Sequence, residues 1–186
     1  MERIIVVGPS GAGKSTLAAT IARSLDIPHI ELDGLWWDAG WTEAGRDVFV
    51  ERIDRALPGD RWVVDGNYFQ HGSREVVWPL ADTIVWLDLS RPLTIARILR
   101  RTTGRVLRRT ELWNGNRETP RDVVGGDSLL WFAWRQHPNY RIRYEALQRS
   151  GELPELTWVR LRSRAEVKAW LATLDAKPRP ERRDRS

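Results

Sequence analysis

The chain has no cysteine and no long apolar run. Without cysteine, disulfide frameworks and thiolate zinc sites are excluded. No apolar stretch approaches the roughly 20 residues that span a bilayer. The first residues, MERIIVVGPSG, lack the basic start and apolar core of a signal peptide. We therefore expect a soluble cytoplasmic protein with no membrane partner, and 186 residues with 41% apolar content suit one domain.

Lysine is also scarce, because only three of the 30 basic residues are lysine and the rest are arginine. Residues 91–121 carry nine Arg and two Glu, and residues 177–186 carry five basic and two acidic groups. The remainder of the chain is net acidic. Such a local arginine cluster favours a concentrated anion such as a polyphosphate as its partner. The alternative is a solvated, arginine-rich helix face.

The apolar pattern alternates between short strands and helices. Strands are predicted at 3–7, 28–32, 61–65, 83–88 and 156–161. Helices are predicted at 13–25, at 43–57, from Pro92, at 127–149 with an interruption at His137-Pro138, and from Ser163. This order predicts a single α/β domain over residues 1–175, with a parallel sheet between two helical layers. Ligands of such sheets bind beyond the carboxyl ends of the strands. The Pro- and charge-rich residues 176–186 are predicted to be a disordered basic tail.

The first strand runs into a glycine-rich turn. The segment from Gly8 to Ser15 reads GPSGAGKS and fits the pattern G-x-x-x-x-G-K-S, between a strand and a helix. In such a loop the backbone N–H groups point at phosphate oxygens, the lysine reaches the β- and γ-phosphates, and the serine hydroxyl binds Mg²⁺. The predicted nucleotide contacts are Gly8, Ser10, Gly11, Ala12, Gly13, Lys14, Ser15 and Thr16. A glycine-rich turn without a ligand is the alternative.

A second signal is Asp65, at the end of the third predicted strand. If this strand lies beside the first, the carboxylate would lie near the phosphate loop. It could then hold Mg²⁺ with Ser15, either directly or through water. The alternative is that Asp65 caps a turn.

Three further segments carry a family resemblance. Leu32-Asp33-x-Leu35-Trp36, Trp62 to Tyr68 (WVVDGNY) and Leu87 to Pro92 (LDLSRP) resemble the adenylate-kinase-like P-loop kinases. Within them they are most similar to the bacterial proteins labelled "topology modulation protein" or adenylate-kinase-related. The resemblance implies the three-layer P-loop NTPase fold with strand order 2-3-1-4-5. It also implies ATP and Mg²⁺ as cofactors and an arginine-rich helical lid at about residues 102–126.

The resemblance also implies roles for individual side chains. Lys14 would stabilise the transferred phosphoryl group, and Arg97, Arg100 and Arg101 would begin the lid. Arg141 would reach back to the phosphates, and Arg162 would border the base. Of these, Lys14, Arg97, Arg101 and Arg141 are predicted as catalytic, and Arg97 and Arg162 as nucleotide contacts.

The predicted acceptor side differs from adenylate kinase proper. That family follows its strand-end Asp-Gly with an aromatic residue, Pro and Arg, whereas here Asn67, Tyr68, Phe69 and Gln70 follow and the next Arg is Arg74. This argues against a nucleotide acceptor. A hydroxyl acceptor instead gains from a carboxylate that orients it and takes its proton, a catalytic role that Asp33 could fill.

The predicted acceptor contacts are Asp33, Trp36, Trp37, Asn67 and Tyr68. The alternative is that Asp33 caps a turn and the neighbouring tryptophans pack on the sheet edge. The predicted function is transfer of the γ-phosphoryl group of MgATP to a hydroxyl of a nucleoside-like or other ring-bearing small molecule. The alternatives are a nucleotide-dependent DNA-binding regulatory protein and a nucleoside monophosphate kinase. The protein is expected to be a monomer or homodimer, and the three histidines are expected to serve structure or surface.

Overall fold

The computed structural model describes residues 1–120 and 128–175. Its main sheet is parallel and has five strands, in the order β2-β5-β1-β6-β7. The strands are β1 (Arg3–Val7), β2 (His29–Glu31), β5 (Trp62–Asp65), β6 (Thr83–Leu87) and β7 (Thr157–Leu161); β3 (Trp37–Asp38) and β4 (Thr42–Glu43) form a separate antiparallel hairpin. Without the hairpin, this is the predicted order 2-3-1-4-5. The fold class is confirmed.

Seven helices are described. They are α1 (Lys14–Leu25), α2 (Leu32–Trp36), α3 (Arg46–Ala56), α4 (Ser73–Val77), α5 (Arg91–Arg108), α6 (Leu129–Ser150) and α7 (Arg164–Asp175). The sequence pattern predicted the long helices but missed α2, α4 and the hairpin, which are too short to carry a periodic signal. The predicted basic tail and the last part of the predicted lid, residues 121–126, lie outside the described residues. Within the described chain, no helix combines the length and apolarity needed to cross a bilayer.

The core lies on both faces of the sheet, which explains why its strands read as continuous apolar runs. Along β1, Ile4 and Val6 pack on one face with Leu17 and Ile21 of α1. Their neighbours Ile5 and Val7 pack on the other face, in a cluster that includes Trp36, Phe49 and Tyr144. Trp86 is fully buried, whereas Trp158 and Trp170 are partly buried against the two clusters. The sheet is therefore the middle of three layers.

Helix α6 runs unbroken through Pro138, so the predicted interruption at this position is wrong. Proline has no N–H and leaves the carbonyl four residues earlier without its helical donor. That carbonyl belongs to Trp134, and the Arg91 guanidinium donates to it at 3.4 Å. The same guanidinium lies 4.2 Å from the centre of the Trp134 ring. A side chain from α5 thus replaces the missing backbone donor and lets the helix continue.

His137, beside this proline, makes the stability of the fold sensitive to pH. Its buried ring donates from Nε2 to the Leu89 carbonyl at 2.9 Å. Burial lowers the pKa of His137 below its ordinary 6.5, and the cations Arg141 and Arg91 lower it further. The hydrogen bond to Leu89 and the charge of Asp88 oppose this shift without cancelling it. The native state therefore favours the neutral ring, and its stability is lost as the pH falls from about 6.5 through the folded pKa. We expect the melting temperature to fall between pH 7.5 and pH 5.5.

The test compares melting temperatures of wild type, His137→Gln and His71→Gln over this pH range. A glutamine amide at position 137 can still donate to Leu89 but does not titrate, so this variant should lose part of the acid destabilisation. His71 is exposed and serves as the matched control. An unchanged pH dependence in His137→Gln would contradict this account.

Candidate active site

The turn after β1 has the backbone geometry of a phosphate-binding loop. Gly8, Gly11 and Gly13 have φ values of 146°, 76° and 95°. A Cβ atom on Gly8 would lie 2.6 Å from the Leu87 carbonyl oxygen, and one on Gly11 would lie 2.4 Å from the Thr94 carbonyl oxygen. Both positions therefore require glycine. Helix α1 begins directly after the loop, so its N–H groups and positive end face the same space.

A cleft of about 1500 Å³ opens beyond the carboxyl edge of the sheet. Its floor is the phosphate loop, including Ser10, Ala12 and Thr16. Side chains from α2, β3, the turn at 67–71, α5, α6 and the start of α7 form its walls. This is the place where ligands of parallel α/β sheets bind.

Lys14 lines this cleft. Its Nζ is 3.4 Å from the Pro9 carbonyl oxygen. Burial lowers the pKa of Lys14 below its ordinary value; Asp33 and Asp65 oppose this shift, whereas Arg101 adds to it. The Lys14 ammonium group is therefore within electrostatic reach of two carboxylates. Asp33 belongs to the predicted acceptor site, and Asp65 belongs to the predicted metal site.

Ser15 and Asp65, the two predicted metal ligands, are hydrogen-bonded to each other. The Ser15 hydroxyl donates to Asp65 Oδ2 at 2.7 Å, and Asp65 is 4% exposed. A hydroxyl and a carboxylate at a phosphate loop suit Mg²⁺, which commonly takes one or two protein ligands and completes its shell with phosphate oxygens and water. Residues 1–120 and 128–175 contain no cluster of three or more His, Cys, Asp or Glu side chains able to hold a metal.

His29 belongs to the same site, although the sequence predicted only a structural or surface role. Its Nε2 lies 2.8 Å from Asp65 Oδ1, so Asp65 is held from both sides. The contact arises because β2 pairs with β5 in parallel, with Glu31 opposite Asp65 and His29 two residues earlier on the same face. The pairing of these strands was predicted, and the register that gives the contact was not.

Asp33 lies in the first turn of α2 and faces the cleft. Its Oδ1 accepts a hydrogen bond from the Tyr68 hydroxyl at 2.7 Å. Burial and the Asp33 charge raise the pKa of Tyr68, so the phenol keeps its proton and remains a donor. The predicted acceptor residues Asp33 and Tyr68 are thus brought together.

The three tryptophans near Asp33 differ in their burial and in their contacts. Trp36 is 3% exposed and packs with its ring centre 5.1 Å from Phe49 and 4.4 Å from His71. Most of the Trp36 ring is therefore packed in the core, although the residue still borders the cleft, and its contact with the acceptor stays a prediction. Trp37 and Trp41 are partly exposed at the cleft and meet edge to face at 5.7 Å.

Asn67, predicted to bind the acceptor, is hydrogen-bonded to the phosphate loop. Its Nδ2 donates to the Gly8 carbonyl at 2.6 Å, and its Oδ1 accepts from the Gly8 N–H at 3.3 Å. The Tyr144 hydroxyl donates to the same Oδ1 at 3.1 Å. Asn67 also lines the cleft, and its contact with the acceptor stays a prediction.

Arginines line the cleft, but not all of them are the predicted ones. The lining set is Arg97, Arg100, Arg101, Arg105, Arg143 and Arg164. Arg97 also donates to the Ala12 carbonyl at 2.7 Å, which ties α5 to the loop. The structure therefore brings the predicted Arg97 and Arg101 to the cleft, where their roles remain predictions.

Arg141 and Arg162 lie elsewhere. Arg141 donates from Nε to Asp88 Oδ1 at 2.9 Å. Two residues correspond to about 200° of rotation around a helix, so Arg143 faces the cleft from the opposite side of α6. Arg162 lies in the turn before α7, where its backbone N–H donates to Glu166 Oε2 at 2.8 Å. Arg164, at the start of α7, lines the cleft instead.

Residues 109–120, which we call the arm, join the end of α5 to the acceptor side. Trp113 Nε1 donates to Glu31 Oε2 at 2.9 Å, and Asn116 Nδ2 donates to the Asp38 carbonyl at 2.8 Å. The Trp41 N–H donates to Asn116 Oδ1 at 2.8 Å. The arm therefore forms one wall of the cleft and is hydrogen-bonded to the segment that carries Asp33.

Comparisons with known proteins agree with this geometry. A scan against protein-family models found no match. Adenylate kinase 1 of Nostoc sp. is 27% identical over 140 residues, which cover 59% of this chain and 76% of that protein. Shikimate kinase of Corynebacterium efficiens is 31% identical over 114 residues, covering 54% of this chain and 64% of that protein. The chain thus spans less than two thirds of this second relative.

The fold has a solved counterpart. The crystal structure of a gluconokinase from Sinorhizobium meliloti 1021 superimposes with a TM-score of 0.51 at 21% identity, covering 94% of this chain and 93% of that one. The phosphate loop and the five-stranded parallel sheet together have the architecture of a P-loop NTPase fold. The chain is thus similar in sequence to adenylate kinases and shikimate kinases, and similar in fold to a gluconokinase.

Proposed function

We propose that the protein transfers the γ-phosphoryl group of MgATP to a hydroxyl group of a small molecule. The observation that carries this proposal is the position of Asp33. Its carboxylate faces the same cleft as Lys14, acts on the charge of that ammonium group and is oriented by the Tyr68 hydroxyl at 2.7 Å. A phosphate acceptor would be repelled at this point, whereas a hydroxyl would be oriented.

In the proposed reaction the acceptor hydroxyl oxygen attacks the γ-phosphorus as its proton passes to the Asp33 carboxylate. The bond between the γ-phosphorus and the bridging oxygen breaks, and ADP leaves. Lys14 and the cleft arginines offset the charge that spreads over the phosphoryl oxygens. Ser15 and Asp65 would hold Mg²⁺, which when bound neutralises charge on the nucleotide phosphates.

The similar proteins include both an adenylate kinase and a shikimate kinase, so similarity alone leaves the type of acceptor open. Two features favour a hydroxyl acceptor over a nucleoside monophosphate. One is Asp33 itself, and the other is the absence of an arginine between Gly66 and Arg74. The DNA-binding alternative has no comparable support, because six arginines line the cleft, where a polyphosphate could use them.

Replacing Asp33 with asparagine should lower kcat about a hundredfold, because the amide cannot accept the hydroxyl proton. The KM for ATP should stay within about twofold, since the phosphate loop is unchanged. The measurement is ADP release from MgATP with adenosine, AMP, shikimate, D-gluconate or D-ribose as acceptor. Asp54→Asn, an exposed carboxylate on α3, is the matched control. Full activity of Asp33→Asn, or a clear preference for AMP in the wild type, would refute the proposal.

A further inference from the structure

The arm carries a buried carboxylate that the proposed reaction does not use. The Glu118 side chain is only 8% exposed and lines the cleft. Its Oε1 accepts a hydrogen bond from Arg105 Nη1 at 2.8 Å. Its Oε2 is also buried and has no hydrogen-bond partner among residues 1–120 and 128–175. One oxygen of this carboxylate therefore has a hydrogen-bond partner, and the other has none within the described ranges.

A free buried carboxylate oxygen calls for an explanation, because buried polar atoms nearly always have a partner. Removal from water weakens the solvation of the charge, and only a donor at the oxygen restores it. Arg105 fixes the orientation of the group by binding Oε1. The remaining oxygen belongs to a residue that lines a large cleft but is itself covered, so a ligand donor would have to enter beside the Glu118 side chain to meet it.

Glu118 shares its surroundings with Asp33. The charges of both carboxylates act on the Arg101 guanidinium, and Arg101 in turn acts on Lys14. Glu118 and Asp33 therefore both line the cleft and lie within electrostatic reach of the same arginine. Trp37 and Trp113 line the same space. The predicted acceptor side thus contains two carboxylates, Asp33 from α2 and Glu118 from the arm.

We propose that Glu118 Oε2 accepts a hydrogen bond from a second hydroxyl group of the phosphate acceptor. The acceptor would then be a polyhydroxylated small molecule, with one hydroxyl at Asp33 and another at Glu118. This inference rests on the proposed function, because it assumes that Asp33 receives the reacting hydroxyl. Glu118 is a specificity-determining residue in this scheme and takes no proton in the transfer.

The test compares the affinity for a ligand that carries a second hydroxyl group with the affinity for the matched ligand that lacks it. The probes are two matched pairs, adenosine with 2′-deoxyadenosine and D-ribose with 2-deoxy-D-ribose. Equilibrium binding of each is measured by calorimetry in the presence of MgADP, alongside turnover with MgATP. We expect the wild type to bind the hydroxylated member of at least one pair at least tenfold more tightly. In Glu118→Gln and Glu118→Ala this preference should fall to threefold or less, with the KM for ATP within twofold.

Glu111→Gln is the matched control, because Glu111 is an exposed arm carboxylate paired to Arg117 at 3.2 Å. It should keep the wild-type preference. A preference that survives in both Glu118 variants, or a wild type that binds both members of each pair equally or not at all, would overturn the inference. Failure of the proposed function has a different signature, since binding preference would then persist without turnover in the wild type.

Discussion

Replacing Lys14 with alanine should lower ATP-dependent turnover by at least about 10³-fold, the scale of loss when a charge that stabilises the transferred phosphoryl group is removed. The protein should nevertheless melt at the wild-type temperature or slightly above it. Burial lowers the pKa of Lys14, so its charged form is less favourable in the folded protein than in water. Loss of the ammonium group removes that penalty from the native state.

The measurement pairs steady-state ADP release with thermal unfolding of the same preparations. Lys168→Ala is the matched control, because Lys168 is an exposed lysine on α7. It should leave both turnover and melting temperature unchanged. A Lys14→Ala protein with near wild-type turnover would exclude this loop as the site of the reaction. A variant that unfolds at room temperature would instead assign Lys14 a structural role.

Replacing Asp88 with alanine should have the largest effect on stability. Asp88 is 4% exposed and lies just after β6. Its Oδ1 accepts from Arg141 Nη2 at 2.8 Å, and its Oδ2 accepts from Arg160 Nη2 at 2.6 Å. The carboxylate thereby joins the end of β6 to α6 and β7. Arg141 is about half exposed and Arg160 keeps Glu145 as a partner at 2.8 Å, so neither guanidinium is left fully uncompensated. We therefore expect a loss of about 1–3 kcal/mol, the range for breaking hydrogen bonds to a buried polar group.

For a chain of this size a loss of about 1–3 kcal/mol corresponds to a fall in melting temperature of roughly 2–12 °C. The measurement is thermal and urea unfolding of Asp88→Ala against wild type. Glu51→Ala is the control, since Glu51 pairs with Arg55 on the exposed side of α3 at 2.5 Å. Such a surface pair contributes about 0.3–0.5 kcal/mol. Equal losses of stability in the two variants would contradict the claim that the buried Asp88 carboxylate stabilises the fold more than an exposed one.

The part of the candidate site around the phosphate loop could be predicted from short sequence motifs. The loop from Gly8 to Ser15 and the carboxylate of Asp65 follow strands whose apolar runs are unmistakable. Parallel strands bring their carboxyl ends to one edge. Asp33 could be predicted for the same reason. For these residues the position along the chain largely determines the position in the site.

The positions of the other site residues depend on which face of a helix points to the cleft and on how neighbouring segments pack, and a single sequence does not specify either. Arg143 rather than Arg141 faces the cleft because a two-residue step around α6 reverses the side of the helix. Asn67 binds Gly8 because the turn after β5 lies against the loop after β1. Glu118 looks like any surface glutamate in the sequence, and only its burial beside Arg105 distinguishes it.

The hydrogen bonds between the arm and the acceptor side have a thermodynamic consequence. Trp113 and Asn116 join α5, which carries Arg97 and Arg101, to the segment that carries Asp33. The wall that would meet the nucleotide and the wall that would meet the acceptor in the proposed reaction are thus parts of one connected unit. Where docking of that unit is favoured by either ligand, linkage requires the effect to be reciprocal. The factor by which nucleotide raises acceptor affinity is then the factor by which acceptor raises nucleotide affinity.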